Sequence, residues 1–294
     1  MPTLTIFTPT FNRKHTLIRL YNSLVNQTCY DFEWLIVDDG STDDTKSLIE
    51  SFNTKKFKIR YIYQKNSGKH IATNLGLKKA NGNLFTCLDS DDWFYYDAVE
   101  IIISKFKKDN NIKGLILLDS YEDGSVIGDF LPEIENLNWV DLRYKYKING
   151  DKCYVFKTSI VRYMTFPQFE NSKHMPPSYQ LFEFSRLYKF QLVNMKVKYV
   201  EYQVDGISSK VKLNYFVSAG NYCEYRKFAH DQLPNFKEKL KNILLYDISW
   251  ISLRLKAKYK FNDKRLFIST VACLPVAYSM YIYYKINFWK KGIM

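Results

Sequence analysis

The hydrophobic pattern changes character twice along the chain. Through the first 120 residues, short apolar runs alternate with stretches in which apolar residues recur every three or four positions. Leu4-Thr5-Ile6-Phe7-Thr8 reads as a strand stopped by Pro9-Thr10, and Leu17, Leu20, Leu24 and Val25 then share one helical face. Phe32 to Val37 is a second buried strand that runs into Asp38-Asp39-Gly40-Ser41. Ser41 with Asp44 three residues on has the pattern of a capping box, opening a helix through Leu48, Ile49 and Phe52. A third strand covers Ile59 to Tyr63. The turn Asn66-Ser67-Gly68-Lys69 leads into a helix from His70 to Ala80, closed by Asn81-Gly82. Leu84, Phe85, Cys87 and Leu88 form a fourth strand driving into Asp89-Ser90-Asp91-Asp92, where Asp92 is expected to cap the next helix, with support of the neighbouring acids from behind as the alternative. That helix carries Val99, Ile102, Ile103 and Phe106 and precedes a strand from Gly114 to Leu118. Strand and helix in alternation, with connections of a few residues, predict right-handed βαβ units and a mostly parallel sheet, hence the α/β class.

After Leu118 the rhythm stops. Asp119 to Asp129, with Gly124 and Gly128, suggests a hairpin or irregular loops, and a helix is expected from Tyr179 to Tyr188. From Pro234 the pattern changes again. Phe236, Leu240, Ile243, Leu244, Ile248, Ile251 and Leu255 fall on helical spacing, and an uncharged run of 19 residues, Leu266 to Tyr284, follows with Pro275 in its middle. The predicted organisation is an α/β half over 1–120, a second half of the same domain over 121–232, and a basic helical region over 233–294.

Composition excludes disorder, with 46% hydrophobic and 17% aromatic residues. Cys29, Cys87, Cys153, Cys223 and Cys273 have no paired spacing for zinc or redox work and suit a reducing cytosol. No basic segment and long apolar run open the sequence, so a cytosolic location is expected. The net charge of +13 is uneven: from Asn235 onward there are 12 Lys or Arg and three acids, about +9. Nucleic-acid binding is disfavoured, because these lysines interleave with an aliphatic face rather than with stacking aromatics. Basic flanks and the aromatics Tyr281, Tyr283, Tyr284 and Trp289 favour a segment lying in a membrane interface; packing within the protein or in a homo-oligomer is the alternative.

The candidate chemistry lies at strand ends. Two successive strands end in carboxylates, Asp38/Asp39 and Asp89/Asp91/Asp92, and in a parallel sheet such ends share one edge, where open α/β sheets bind ligands. Acids this close repel unless a cation joins them, and hard oxygen ligands suit Mg²⁺ or Mn²⁺ completed by substrate phosphates. There is no Gly-x-Gly-x-x-Gly after the first strand and no P-loop, which argues against a dinucleotide oxidoreductase or an ATPase.

Thr8-Pro9-Thr10-Phe11-Asn12-Arg13, Val37-Asp38-Asp39-Gly40-Ser41-Thr42-Asp43, Asn74-Leu75-Gly76 ahead of Ala80-Asn81-Gly82, and Leu88-Asp89-Ser90-Asp91-Asp92 resemble, in order and spacing, the family 2 glycosyltransferases. Gly150-Asp151-Lys152, Phe166-Pro167 and Tyr202-Gln203-Val204-Asp205-Gly206-Ile207-Ser208 look like a bacterial subset that builds capsules and other cell-surface polysaccharides. The resemblance implies a GT-A fold, Rossmann-like with a mostly parallel sheet and here a helical C-terminal extension. It implies inverting transfer of one sugar from a nucleotide-diphosphate sugar, UDP-sugar favoured, to a saccharide or polyprenyl-linked acceptor. By position Asp39 would contact the base, with Thr8 and Pro9 lining its pocket. Asp38 would join the nucleotide-sugar site, or else satisfy the backbone of the turn at Gly40-Ser41; Asp89 and Ser90 would lie near the ribose, and Asp91 would hold Mn²⁺ or Mg²⁺ on the diphosphate. The sequence departs from the family pattern at Thr73, where an Arg facing the phosphates is common. Lys69 or His70 could supply that charge. It departs again at Pro177, where a catalytic carboxylate is expected, leaving Glu183, Glu170 and Asp151 as candidates for the base. Those departures keep open a second class: a non-catalytic nucleotide-sugar-binding or membrane-scaffold protein of the same fold.

Overall fold

The structure, a computed structural model, describes residues 1–169, 172–203, 211–254 and 264–290, with side chains left aside at 211, 254 and 264–271. It divides into two compact units, Met1–Thr165 with Glu183–Gln203, and Phe166–Phe182 with Val204–Met294.

The first unit contains a nine-stranded sheet among the described residues. Its first half is built as the pattern predicts: β1 (Leu4–Thr10), α1 (Lys14–Val25), β2 (Phe32–Asp38), α2 (Thr45–Ser51), β3 (Lys58–Tyr63), α3 (Lys69–Lys79), β4 (Leu84–Cys87). After these come β5 (Trp93–Phe94), α4 (Ala98–Lys108), β6 (Gly114–Ser120), β7 (Asn136–Leu137), β8 (Lys152–Lys157), the short helix α5 (Thr158–Val161) and β9 (Phe190–Tyr199). The strand order is β3-β2-β1-β4-β8-β6-β9-β5, with β7 on β9. The pairs β3–β2, β2–β1 and β1–β4 are parallel, so Thr10 and Asp38 stand together at one edge. Beyond β4 the sheet is mixed: β8 runs antiparallel to both β4 and β6, and β9 runs parallel to β6.

All seven residues of β1 and of β2 are buried, which is why they read as continuous rather than alternating apolar runs. Leu17, Leu20 and Leu24 from one face of α1 join Trp34, Ile36 and Leu84 in the main core, each burial worth roughly 1.5–3 kcal/mol. The Trp34 indole donates to Thr8 Oγ1 at 2.9 Å, so the buried ring is satisfied without leaving the apolar layer. On the other face, α3 sits close on β1: a Cβ at Gly76 would lie 2.5 Å from the Phe7 ring. At the amino edge, Glu33 is buried and bound by Arg60, Thr5 and Asn81.

Two local expectations fail. Ser41 does not cap α2; its hydroxyl accepts from the Asn12 backbone N–H at 2.9 Å. The N-cap position is Asp44, which makes no side-chain capping bond, and Asp43 before it accepts from Thr45 N at 3.1 Å. Asp92 does not cap the helix after it, because β5 intervenes and α4 begins only at Ala98.

The second unit contains the helices α7 (Val211–Val217), α8 (Ala219–His230), α9 (Phe236–Arg254) and α10 (Lys264–Lys290). The helix α6 (Ser178–Ser185) begins in this unit and ends in the first. Phe216, Tyr222, Ile248, Ala277 and Tyr281 form its apolar core. Pro275 lies inside α10, whose helix continues on both sides of it. Val276, Ile282, Tyr283, Ile286 and Trp289 on α10 are exposed. Among the described residues, no helix is long and apolar enough to cross a membrane.

Candidate active site

The carboxyl edge of the parallel strands brings together most of the residues singled out from the sequence. Pro9, on β1, is paired with Val37 of β2 and buried, with Thr8 beside it. Asn12, at a positive φ of 51°, turns its side chain across the edge, where its Oδ1 accepts from Thr42 N at 2.8 Å. Asp38 serves the turn: Oδ1 accepts from Ser41 N at 2.7 Å and Oδ2 from the Tyr61 hydroxyl at 2.8 Å. Asp39 faces the loop after β3. Its Oδ1 accepts from Gln64 Nε2 and Ser67 N, its Oδ2 from Gly68 N, all within 2.8 Å. Gly40 and Gly68, at φ 86° and 99°, give this loop its shape, and a Cβ at Gly40 would lie 2.7 Å from Asn66 N.

At the acid turn after β4, Lys69 Nζ reaches Asp89 Oδ2 at 2.6 Å. Although burial works the other way for both, the ammonium holds the Asp89 carboxyl below its usual range and the carboxylate raises the lysine. Lys69 is thus the cation paired with Asp89 at this turn. His70 supplies no charge there. Buried at 3% exposure, it is pushed down to about 4 by desolvation and is neutral at pH 7. Thr73 turns inward, its hydroxyl donating to the Lys69 carbonyl at 2.8 Å. Ser90 is buried. Asp91 is raised, first by burial and then by Asp89.

Beneath the turn lies a buried ionic cluster. Lys198 Nζ, on β9, is 3.3 Å from Asp92 and 3.1 Å from Asp119, the two acids being 5% and 0% exposed. Burial pushes Asp92 up to about 7 and Asp119 up to about 6, while Asp119 and Asp92 together hold Lys198 well above the usual lysine range. Asp92 therefore anchors the turn from below. A second tie comes from α1. Arg19 donates to the Asp91 carbonyl at 2.9 Å and to Glu201 Oε2 at 2.5 Å, and its guanidinium stacks 3.7 Å over the Trp93 ring.

Trp93 opens onto a cleft of about 630 Å³ that is also lined by Tyr121, Glu122, Asp123, Glu201 and Tyr202. The Tyr202 hydroxyl donates to Asp151 Oδ2 at 2.8 Å, so the exposed Asp151 adjoins the cleft at Tyr202. Glu183 is elsewhere. Its neighbour Phe184 packs on Phe156 and Phe190, which lie at the amino edge of the sheet, and burial raises the Glu183 carboxyl. Glu170 lies outside the described residues, as does the 204–208 part of the late motif. Among the described residues, no group of three or more His, Cys, Asp or Glu is arranged as a metal cage.

Arg19, Asp119, Lys198 and Glu201 are not legible in the sequence as site residues. A lysine at an inward position of a strand is the one signal that Lys198 offers; Arg19 looks like any polar residue on an amphipathic helix.

The region that holds these elements is matched by known proteins. A family model described as Glycosyl transferase family 2 matches residues 5–165, more than half the chain. The chain belongs to that family. Among curated relatives, a chondroitin synthase of Escherichia coli is 38% identical over 109 residues, covering 37% of this chain and 16% of its own length. A GalNAc(5)-diNAcBac-PP-undecaprenol beta-1,3-glucosyltransferase of Campylobacter jejuni is 36% identical over 107 residues, covering 36% and 35%. The first curated relatives are matched over about a fifth of their length or less, for example 18% of an uncharacterized glycosyltransferase of Rickettsia felis. The fold agrees over nearly the whole chain. S. aureus TarS 1-349 in complex with UDP-GlcNAc superposes with TM-score 0.64 at 16% identity, covering 94% of this chain and 81% of TarS. The Pyrobaculum calidifontis mannosyltransferase PcManGT, in complex with GDP-Man and Mn²⁺, gives TM-score 0.56 at 14% identity, covering 97% and 88%. The family 2 transferase is thus an α/β protein of the GT-A type with added C-terminal helices.

Proposed function

We propose that this family 2 glycosyltransferase moves one sugar from a nucleotide-diphosphate sugar, a UDP-sugar in the first instance, to a hydroxyl of a saccharide or lipid-linked acceptor, with inversion. The observation that carries the reading is the meeting of the Asp39 loop, the Lys69–Asp89 pair and Asp91 at one sheet edge. Asp39 orders the loop through Ser67 and Gly68, which would close one side of the base's site. Lys69, the cation paired with Asp89 at this edge, would face the donor phosphates.

The residues fit a divalent cation. Asp91 is a carboxylate raised by burial and by Asp89, the condition that a bound cation relieves. Mn²⁺ or Mg²⁺ held by Asp91, with Asp89 beside it, would be completed by the diphosphate oxygens. When bound, the ion supplies neutralisation of the charge that grows on the leaving diphosphate. Everything else falls to the chain. Lys69 screens the phosphates, Arg19 and Lys198 hold the turn, and Asp151 takes the proton of the acceptor hydroxyl as that oxygen attacks the anomeric carbon and the nucleoside diphosphate leaves. Asp151 is preferred to Glu183 because it stands at the acid edge and meets the cleft through Tyr202. The UDP and UDP-GlcNAc complexes of S. aureus TarS support a uridine donor. The names chondroitin synthase and hyaluronan synthase among the relatives support a role in extracellular polysaccharide synthesis.

The exposed Val276, Ile282, Tyr283, Ile286 and Trp289 of α10, with Lys285 and Lys290 beside them, suit peripheral contact with an anionic membrane on its cytosolic face. The test of the central reading is thermal stabilisation and slow hydrolysis across UDP-, GDP-, CMP- and dTDP-sugars with and without Mn²⁺. Metal-dependent stabilisation by a UDP-sugar that disappears in Asp91→Ala is expected. No stabilisation by any donor would overturn the reading.

A further inference from the structure

The cleft beside the acid turn has a character that the chain as a whole does not share. The protein carries +13 overall, yet the side chains named around this cleft include three carboxylates, Glu122, Asp123 and Glu201, and no lysine or arginine. Its other walls are aromatic: Trp93, Tyr121 and Tyr202. It also adjoins the donor edge directly, because Trp93 follows Asp92 and Arg19 binds the Asp91 carbonyl and Glu201 at once.

The cations close by are occupied. Arg19 is paired with Glu201 and stacked on Trp93, and Lys196 Nζ donates to the Gly124 carbonyl at 2.9 Å. Asp123 spends one oxygen on Ser125, at 2.8 Å from its backbone N–H, and Glu122 is exposed. Asp151, held by the Tyr202 hydroxyl, adds a further negative charge beside the cleft. Aromatic faces offer broad apolar contact to the C–H face of a pyranose ring, and carboxylates accept hydrogen bonds from hydroxyl or ammonium groups but repel other anions.

We propose that this cleft seats the acceptor and selects a terminal sugar without negative charge, neutral or amino-bearing, against uronic-acid and phosphate-bearing sugars. The inference rests on the transferase reading and adds to it the charge class of the acceptor. Tyr121 and Tyr202, 42% and 50% exposed, hold the ring while Trp93, stacked between Arg19 and Tyr199, forms the floor, and the acids of the rim supply the discrimination.

Calorimetric titration of the full chain, with UDP and Mn²⁺ present, tests this with three trisaccharides that differ only in the terminal residue: glucose, glucosamine or glucuronate. The glucose and glucosamine forms bind, and the glucuronate form binds about tenfold more weakly at low salt, the gap shrinking as salt screens the rim. Glu122→Gln with Asp123→Asn closes the gap by strengthening the glucuronate form while the glucose form keeps its affinity. Tyr202→Ala weakens all three. Equal or tighter binding of the glucuronate form overturns the proposal, and so does a protein that binds UDP with Mn²⁺ but none of the trisaccharides. Failure of UDP itself to bind in a preceding titration would instead overturn the transferase reading.

Discussion

Replacing Lys198 by Met keeps most of its stem but removes the ammonium from between Asp92 and Asp119. In the native fold that ammonium is 3.3 Å and 3.1 Å from two acids that are 5% and 0% exposed. Even with it, burial holds Asp92 at about 7 against an ordinary 3.8, so keeping Asp92 ionised already costs the fold about 4 kcal/mol at pH 8. Both carboxyls have folded-state values above their unfolded ones. Their contribution is therefore present at low pH and is lost as the pH rises through about 6 for Asp119 and about 7 for Asp92. Removing one partner of a buried ionic group costs about 3–5 kcal/mol when the others must stay charged. Lys198→Met is expected to lose that much at about pH 8. It should lose little at about pH 5.5, where both acids are protonated and the wild type itself buries a lysine with neutral partners. Urea unfolding of both proteins at the two pH values, followed by far-UV circular dichroism, measures the difference. A loss below about 1 kcal/mol at pH 8, or an equal loss at both, would mean that water or another group screens the pair and that the cluster is not the anchor described.

Three further outcomes follow from the same contacts. Gly76→Ala places a Cβ 2.5 Å from the Phe7 ring and should cost about 1–3 kcal/mol of stability, measured by the same unfolding curves. Arg19→Met removes the bond to the Asp91 carbonyl and the pair with Glu201, and should raise the Mn²⁺ concentration needed for half-maximal UDP binding several-fold; Arg19→Lys, which cannot span both partners, restores only part. An unchanged Mn²⁺ midpoint in Arg19→Met would remove Arg19 from the site. Asp151→Asn should lower transfer by roughly 100-fold or more and leave metal-dependent UDP binding intact; transfer within about threefold of wild type would take the base role from Asp151.

The first half of the fold is readable because its signals are local. A strand buried on both faces shows as an unbroken apolar run, and an acid at its end marks the edge, so β1, β2, β4 and the turns at Asp39 and Asp89–Asp92 are legible to within a residue or two. The structure adds long-range pairings that no window of sequence displays. Lys198 meets Asp92 across more than 100 residues, and Arg19 meets Glu201 across 182. A carboxylate just before a helix usually caps it, which is the expectation for Asp92; the two residues of β5 displace that helix and leave Asp92 to the cluster instead. The choice among Asp151, Glu170 and Glu183 likewise cannot be made from spacing, since it depends on which edge of the sheet each one reaches.

The place of β8 between β4 and β6 has a consequence for how the protein is made. On a ribosome, β4 and β6 emerge well before residue 152, and each then has an open hydrogen-bonding side that only β8 can fill. The nascent chain must wait through some thirty residues of largely irregular backbone with those edges bare, the interval in which strands of other chains compete for them. A truncation after β6 would make that waiting state permanent, so such fragments should aggregate even though every donor-side motif is present.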